Sequence, residues 1–176
     1  MEREYVVFAQ NLSRNLVKQI AALYCQIWQE PPWNEDFWTK EKVVSDFDQQ
    51  MSYDGAIGFI AIEEEEVIGF VWGYLVDKEK MRAICGNQSL DFHFSKGEKI
   101  FYIDELGVAK NKRKVGIGSA LTFFLIREVK LQGIRKILVR TDKQAVEARK
   151  LYRKFGFREL LSVRDAHHPE RSYWLH

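Results

Sequence analysis

Residues 102–121 read YIDELGVAKNKRKVGIGSAL, and this stretch decides the fold. An apolar run ends at Glu105, a turn with Arg113, Gly116 and Gly118 follows, and apolar residues at helical spacing come next. This order predicts a strand, a glycine turn and the first turn of a helix. A helix N-terminus holds phosphate through its free N–H groups and dipole, and glycine lets the backbone approach the anion closely. The stretch therefore predicts an anion site beside a carboxylate.

The spacing of the glycines narrows the choice of anion. A P-loop needs a Lys-Ser or Lys-Thr pair after its last glycine, but Ser119 and Ala120 follow Gly118. A dinucleotide-binding loop needs a third glycine where Leu121 stands. The remaining pattern is Arg-x-x-Gly-x-Gly, beginning at Arg113. It resembles the pyrophosphate-binding loop of the GNAT superfamily of acyl-CoA-dependent N-acyltransferases. An ordinary glycine turn before a helix is the alternative.

A second segment supports this resemblance. Residues 148–157 read ARKLYRKFGF and are similar to another hallmark of the superfamily, Ala-x-x-Leu-Tyr-x-x-x-Gly-Phe. Its apolar residues share one face of a predicted helix, and Gly156 is a typical helix stop. Residues 134–141, between the two motifs, predict a buried strand. The resemblance covers the chain from about residue 57 to the C-terminus.

The composition fits one domain over residues 1–176. Apolar residues make up 46% and charged residues 30%, and a net charge of +2 gives no large field for nucleic acid or a membrane surface. Cys25 and Cys85 form no CxxC pair, and no His or Cys lies at zinc-ligand spacing, so no metal site is expected. The N-terminal residues, MERE, are charged and lack a signal-peptide core, which predicts a cytoplasmic location.

The order of patterns along the chain predicts an α/β (α+β) fold. It runs strand, two helices, three strands, helix, strand, helix and two strands, with no prediction for residues 77–99. Ser13 and Thr39 are predicted to cap the first two helices. This order matches the GNAT fold. The resemblance therefore implies a mixed, mostly antiparallel sheet of about seven strands flanked by about four helices. It also implies that the central strands splay apart and hold the acyl-CoA in the gap.

Acyl transfer from a thioester to an amine sets three chemical requirements. An amine with a pKa of roughly 10.4 must lose its proton, the carbonyl oxygen needs a hydrogen-bond donor, and the leaving thiolate needs a proton. Glu105 is the predicted base, because it ends a strand beside the anion loop, where apolar neighbours would raise its pKa. An ion pair with a nearby Lys or Arg is the alternative for this carboxylate. Asp104 is expected on the opposite face of the strand.

The resemblance assigns the remaining catalytic and cofactor residues. In the superfamily the tyrosine of the Leu-Tyr pair reaches the CoA sulfur, so Tyr152 is the predicted acid, with a core tyrosine as the alternative. The strand end is expected to pair with the pantetheine arm of acetyl-CoA and to donate an N–H to the thioester carbonyl. The loop is expected to wrap the pyrophosphate. Ala145 stands where many relatives have an asparagine that contacts the cofactor. The predicted cofactor residues are Leu106, Gly107, Val108, Arg113, Lys114, Val115, Gly116, Ile117, Gly118 and Ser119.

Residues 29–38, QEPPWNEDFW, form the predicted acceptor loop. In this fold the acceptor approaches over the first two helices and the loop between them. Trp33, Glu35 and Trp38 are typical of a site that binds a cationic amine by stacking and charge. A proline-broken connector whose tryptophans pack on the core is the alternative.

The resemblance, together with these residues, implies an N-acetyltransferase that moves the acetyl group of acetyl-CoA to a primary amine. The predicted acceptor is a polyamine- or aminoglycoside-like small molecule, which attacks directly in a ternary complex. Three alternatives stay open: acetylation of peptide or protein N-termini or lysines, a non-catalytic acyl-CoA-binding regulatory module, and a protein that binds another nucleotide. Residues 172–175, in the terminal strand, are a predicted edge for a homodimer.

Overall fold

A seven-stranded mixed sheet forms the centre of the molecule, as predicted, with strand order β1-β2-β3-β4-β5-β7-β6. The computed structural model describes residues 3–176, so Met1 and Glu2 of the charged N-terminus lie outside the described residues. Every neighbouring pair of strands is antiparallel except the parallel pair β4 and β5. The strands are β1 (Glu4–Phe8), β2 (Ile57–Glu63), β3 (Glu66–Val76), β4 (Ile100–Val108), β5 (Ile137–Asp142), β6 (Arg158–Glu159) and β7 (Arg171–Leu175).

Five α-helices flank the sheet within residues 3–176, one more than the four expected. They are α1 (Arg14–Trp28), α2 (Lys40–Met51), α3 (Lys78–Cys85), α4 (Ile117–Leu131) and α5 (Val146–Lys154). The additional helix is α3, which lies in the segment that gave no prediction. Its ends nevertheless carry local signals: Asp77 accepts a hydrogen bond from the N–H of Lys80 at 2.8 Å, and Gly86 ends the helix in a left-handed conformation.

Two helix layers cover opposite faces of the sheet. Ser13 and Thr39 cap α1 and α2 as predicted, and these helices share a core with Phe70 and Trp72 of β3. The alternate residue of that strand, Val71, instead packs with α4 and α5. Because successive strand residues point to opposite faces, this alternation places the two helix pairs on opposite sides of the sheet.

The central strands splay apart next to the cofactor motif, as the resemblance implied. The ladder between β4 and β5 joins Phe101–Ile103 to Ile137–Val139 and goes no further, although β4 continues to Val108 and β5 to Asp142. The last residues of β4 therefore have no strand partner on the side of β5.

A β-bulge lies at the point where the two strands separate. Trp72 pairs with Glu105 and the next residue, Gly73, pairs with Ile103, so Asp104 is the additional residue in β4. A Cβ at Gly73 would lie 2.1 Å from the carbonyl oxygen of Tyr102, which only glycine can avoid. The glycine therefore permits the irregularity that carries the two carboxylates.

The prediction of a free edge at residues 172–175 is wrong. Strand β7 lies between β5 and β6, and its Leu175 pairs with Leu138 on one side and Arg158 on the other. The edges of the sheet are β1 and the two-residue β6. The longest helices, α1 and α4, have 15 residues, and none of the helices among residues 3–176 is long and apolar enough to cross a membrane.

Candidate active site

A cavity of about 270 Å³ lies at the predicted cofactor loop. It opens between the end of β4, the start of α4 and one side of α5, which contributes Glu147, Ala148 and Leu151. Val115, the remaining predicted cofactor residue, does not line it, and its side chain is exposed. Nine of the ten predicted cofactor residues line this cavity: Leu106, Gly107, Val108, Arg113, Lys114, Gly116, Ile117, Gly118 and Ser119.

The fold places different constraints on the two glycines of the loop, Gly116 and Gly118. Gly116 has φ of 92° and precedes α4 as its N-cap, a left-handed conformation that a side chain would strain. Gly118 lies in the first turn of α4, where a Cβ would meet only ordinary contacts, at 3.7 Å from Leu151 and Val108. The fold itself therefore requires the first glycine and tolerates a side chain at the second. The free N–H groups of this first turn lie beside the cavity, at the position where the sequence predicts an anion site.

The side chain of Arg113 is held by the protein. Its Nε donates to the carbonyl oxygen of Val108 at 2.9 Å, and its Nη1 lies 2.7 Å from Oε2 of Glu30. Glu30 immediately follows the C-terminal end of α1 and its cap residue. Arg113 thus ties the predicted cofactor loop to the predicted acceptor loop.

A groove of about 370 Å³ continues from the cofactor cavity along the unpaired end of β4. The groove and the cavity share Leu106, Gly107 and Val108. A Cβ at Gly107 would lie 2.7 Å from Ile27 and 2.6 Å from Phe70, so this glycine lets α1 pack directly on the sheet. Ala145 lines the groove as well. The groove follows the backbone that is expected to pair with the pantetheine arm.

A third cavity, of about 220 Å³, lies at the other end of the groove. Trp33 lines both spaces and connects them. The cavity brings the predicted base together with all three predicted acceptor residues, Trp33, Glu35 and Trp38. The residues that line it are Tyr24, Trp28, Trp33, Glu35, Phe37, Trp38, Tyr102, Asp104, Glu105, Arg140, His168 and Arg171.

Asp104 and Glu105 line the same cavity, contrary to the expectation that they face opposite sides. The bulge is the physical reason, since the additional residue breaks the alternation of side chains along β4. Each carboxylate accepts a hydrogen bond from one phenol: Tyr24 donates to Oε1 of Glu105 at 3.0 Å, and Tyr74 donates to Oδ2 of Asp104 at 2.7 Å. The site therefore holds two adjacent carboxylates rather than one.

Burial raises the pKa of Glu105 well above its usual range, and the neighbouring Asp104 raises it further. Burial also raises the pKa of Asp104. Across residues 3–176 neither carboxylate has a cationic side chain within 4.0 Å: Arg140 pairs with Asp165 at 3.2 Å, and Arg171 pairs with Glu35 at 3.1 Å. The alternative of an ion-paired Glu105 is therefore not the arrangement found.

The acceptor loop forms an aromatic wall that its own residues hold in place. Oε2 of Glu35 accepts from the indole N–H of Trp38 at 2.8 Å, and Oε1 accepts from Arg171 at 3.1 Å. The guanidinium of Arg171 lies 4.5 Å from the ring centre of Trp33, which stacks on Trp28 at 6.0 Å. Both oxygens of Glu35 are thus engaged in the wall, and Asp104 and Glu105 are the cavity carboxylates that form no ion pair within residues 3–176.

Tyr152 is buried, 4% exposed, and lines neither the cofactor cavity nor the acceptor cavity. Its ring packs 5.6 Å from Phe157 and 6.5 Å from Trp174. Burial raises the pKa of its phenol, and Glu105 raises it further through its negative charge. The preceding residue, Leu151, does reach the cofactor cavity. The role of Tyr152 as the acid stays a prediction.

Several residues of the acceptor cavity carry no sequence signal for a site. Tyr24 follows the helical apolar pattern of α1, which indicates only a core position, and Arg140 and Arg171 lie within strands. Simple alternation of side chains along the strand predicts that Asp104 points away from the site. Gly73, inside a strand pattern, is the one signal that predicts a bulge and with it the inward turn of Asp104. Within the described part of the chain, no group of three or more His, Cys, Asp or Glu side chains could hold a metal ion.

Comparisons with known proteins agree with this geometry. The sequence profile of the acetyltransferase (GNAT) family matches residues 18–157. No curated protein matches the chain. The crystal structure of aminoglycoside 6'-acetyltransferase type Ii is similar, with a TM-score of 0.69 and 18% identity over 98% of this chain and 96% of that one.

Two further crystal structures have the same fold. The PaiA N-acetyltransferase from Thermoplasma acidophilum, in complex with coenzyme A, has a TM-score of 0.69 and 13% identity over 99% of this chain and 98% of that one. NAA60 from Arabidopsis thaliana, in complex with a bisubstrate analogue, has a TM-score of 0.64 and 16% identity over 98% and 95%. At these identities the structures show the fold alone. The profile match spans most of the chain, and the protein therefore belongs to the GNAT acetyltransferase family of acyl-CoA-dependent transferases.

Proposed function

We propose that this protein transfers an acetyl group from acetyl-CoA to a primary amine of a small molecule by direct attack in a ternary complex. One observation carries the proposal: the groove along Leu106–Val108 joins the cofactor cavity to the cavity that contains Glu105. A thioester lying in the groove would meet an amine entering from the acidic cavity. We propose further that residues 1–176 act as one domain.

The side chains and backbone of β4 fit the chemistry of such an attack. Glu105 takes the proton of the amine, and its raised pKa brings it closer to the roughly 10.4 of a lysine-like amine. An N–H at the unpaired end of β4 donates to the thioester oxygen as negative charge develops there. Tyr152 gives a proton to the leaving thiolate.

The acceptor cavity favours a small cationic amine. Tryptophan and tyrosine rings line it, and its two β4 carboxylates make no ion pair within 4.0 Å among residues 3–176, so they can attract a cation. An open cavity of about 220 Å³ suits part of a small amine, such as a polyamine chain or one ring of an aminoglycoside, more than a folded protein surface. The aminoglycoside 6'-acetyltransferase of the same fold is consistent with such an acceptor.

The test is acetyl-CoA consumption, measured as release of free thiol, against polyamines, aminoglycosides, amino acids and short peptides. We expect thiol release with one class of small amines. Glu105→Gln should lower kcat by about 100-fold, within the range for loss of a general base, and Tyr152→Phe should lower it by about 10-fold. Both variants should keep the affinity for acetyl-CoA, measured by calorimetry. Arg14→Ala, which removes an exposed ion pair with Asp48, is the matched control and should be unchanged.

Each other outcome would point to one of the alternatives. Release with peptides alone would make the protein a peptide or protein acetyltransferase. Acetyl-CoA binding without release from any amine would favour a regulatory module. Binding of ATP in place of acetyl-CoA would overturn the cofactor assignment.

A further inference from the structure

We propose that Tyr24 is the positioning residue for Glu105: it holds one carboxylate oxygen so that the other receives the proton of the acceptor amine. This inference rests on the proposed function, in which Glu105 is the base. Tyr24 lies on α1, 81 positions from Glu105 in the sequence, and donates its O–H to Oε1 at 3.0 Å. No other hydrogen bond to the carboxylate of Glu105 occurs within residues 3–176.

The ring of Tyr24 is fixed on several sides. It stacks on Trp28 with ring centres 4.0 Å apart and an angle of 6° between the planes. Trp38 meets it edge-on at 5.2 Å, and Phe70 lies 6.2 Å away. Tyr24 is 2% exposed, yet it also lines the acceptor cavity. A ring held in this way directs its hydroxyl to one point, so the hydrogen bond fixes the rotamer of the flexible glutamate.

Within residues 3–176 no other charged or titratable side chain makes this hydrogen bond to Glu105. Arg140 pairs with Asp165 and Arg171 pairs with Glu35, while the nearby acids raise the pKa of Glu105 through their negative charge. Tyr152 has no hydrogen bond to Glu105. The groups that face Glu105 from the surrounding elements are Tyr24 on α1, Glu35 in the acceptor loop, Asp46 on α2, Tyr102 and Asp104 on β4, Arg140 on β5, Tyr152 on α5, His168, and Arg171 on β7.

The variant Tyr24→Phe keeps the stacked ring and removes the hydroxyl. A hydrogen bond to an ionised carboxylate favours that form, so its loss should move the acid limb of the kcat profile about one to two pH units higher. We expect kcat at neutral pH to fall by about 10-fold, with the KM for acetyl-CoA unchanged. A residue that only packs would leave the pH profile in place.

One control variant and two further measurements test whether the effect is specific to Tyr24. Tyr5→Phe removes a phenol from β1 whose ring packs 5.1 Å from Phe124, away from the acceptor cavity, and it should leave kcat and the pH profile unchanged. Thermal unfolding of Tyr24→Phe checks that the fold is retained. Carbon-13 NMR of glutamate-labelled protein reports the titration of Glu105 without any turnover, with the signal assigned through Glu105→Gln.

The outcomes separate this inference from the proposed function. A rise in the NMR pKa of Glu105 in Tyr24→Phe, with the shifted acid limb, supports the positioning role. An unchanged NMR pKa and an unchanged acid limb would overturn it while acetyl transfer by the wild-type protein still stands. If the wild-type protein releases no thiol with any amine, the proposed function fails, and the NMR pKa alone still decides whether Tyr24 controls Glu105.

Discussion

At the scale of single residues, the site depends on two adjacent carboxylates that share one cavity. Asp104 raises the pKa of Glu105 because two negative charges at neighbouring positions repel each other. Asp104→Asn removes that charge and keeps an acceptor for the phenol of Tyr74. We expect the acid limb of the kcat profile to move to lower pH, opposite in direction to Tyr24→Phe. A profile that stays in place or moves to higher pH would show that Asp104 does not act on Glu105.

The buried charge of Glu105 should also reduce the stability of the fold. Its folded-state pKa is raised above the ordinary value of roughly 4.3, so the folded protein binds its proton more tightly than the unfolded chain does. Proton binding by Glu105 therefore favours the folded state: its full contribution to stability is present below the unfolded pKa and is lost as pH rises through the folded pKa. Glu105→Gln should therefore have a higher Tm than the wild type at pH 8 and a similar Tm at pH 4. Thermal unfolding at the two pH values measures the difference, and a lower Tm at pH 8 would contradict it.

At the scale of elements, the bulge in β4 converts an ordinary strand into a site. Gly73→Ala would place a Cβ 2.1 Å from the carbonyl oxygen of Tyr102, so the strand pair must separate or change register. We expect Tm to fall by about 5 °C or more and kcat to fall with it, because Asp104 and Glu105 would no longer face one cavity. Thermal unfolding and thiol release measure the two effects.

Gly118→Ala is the matched control for that substitution. Its added Cβ meets nothing closer than 3.7 Å, and alanine suits a helix better than glycine, so Tm should be unchanged or slightly higher. The affinity for acetyl-CoA should nevertheless weaken by about 10-fold, because the methyl group stands in the first turn that is expected to hold the pyrophosphate. Calorimetry checks this. Equal loss of stability in both variants would mean that the bulge has no special requirement for Gly73.

At the scale of the whole molecule, two ion pairs fasten the acceptor loop across the groove. Glu30 pairs with Arg113 of the cofactor loop at 2.7 Å, and Glu35 pairs with Arg171 of β7 at 3.1 Å. The loop therefore connects segments that are distant in the sequence. The wall of the acceptor cavity is therefore built jointly by the acceptor loop and β7.

Arg171→Met should loosen that wall without touching the cofactor cavity. The aliphatic side chain can still cover Trp33, but Glu35 loses its cation and Trp38 loses a fixed partner. We expect the KM for the amine to rise by about 10-fold, while the affinity for acetyl-CoA stays within a factor of two. Steady-state kinetics with varied amine and calorimetry with acetyl-CoA provide the two measurements. A change in acetyl-CoA affinity alone would contradict this division of the site.

The sequence by itself determined the features that depend on neighbouring residues. The glycine loop, the helix that follows it, the caps at Ser13 and Thr39 and the order of the elements all rest on local conformation, and the structure contains them. The cofactor cavity follows directly, because a strand end, a turn and a helix N-terminus are consecutive in the chain.

Only the tertiary structure decided which residues meet in the acceptor cavity. The contact between Tyr24 and Glu105 joins residues 81 positions apart, and the one between Arg171 and Glu35 joins residues 136 apart. Periodicity assigns Tyr24 to a helix face but says nothing about which strand end that face will meet. The position of Asp104 likewise depends on the close approach of β3 to β4 at Gly73. Packing between distant segments sets these positions, and local propensity carries no information about it.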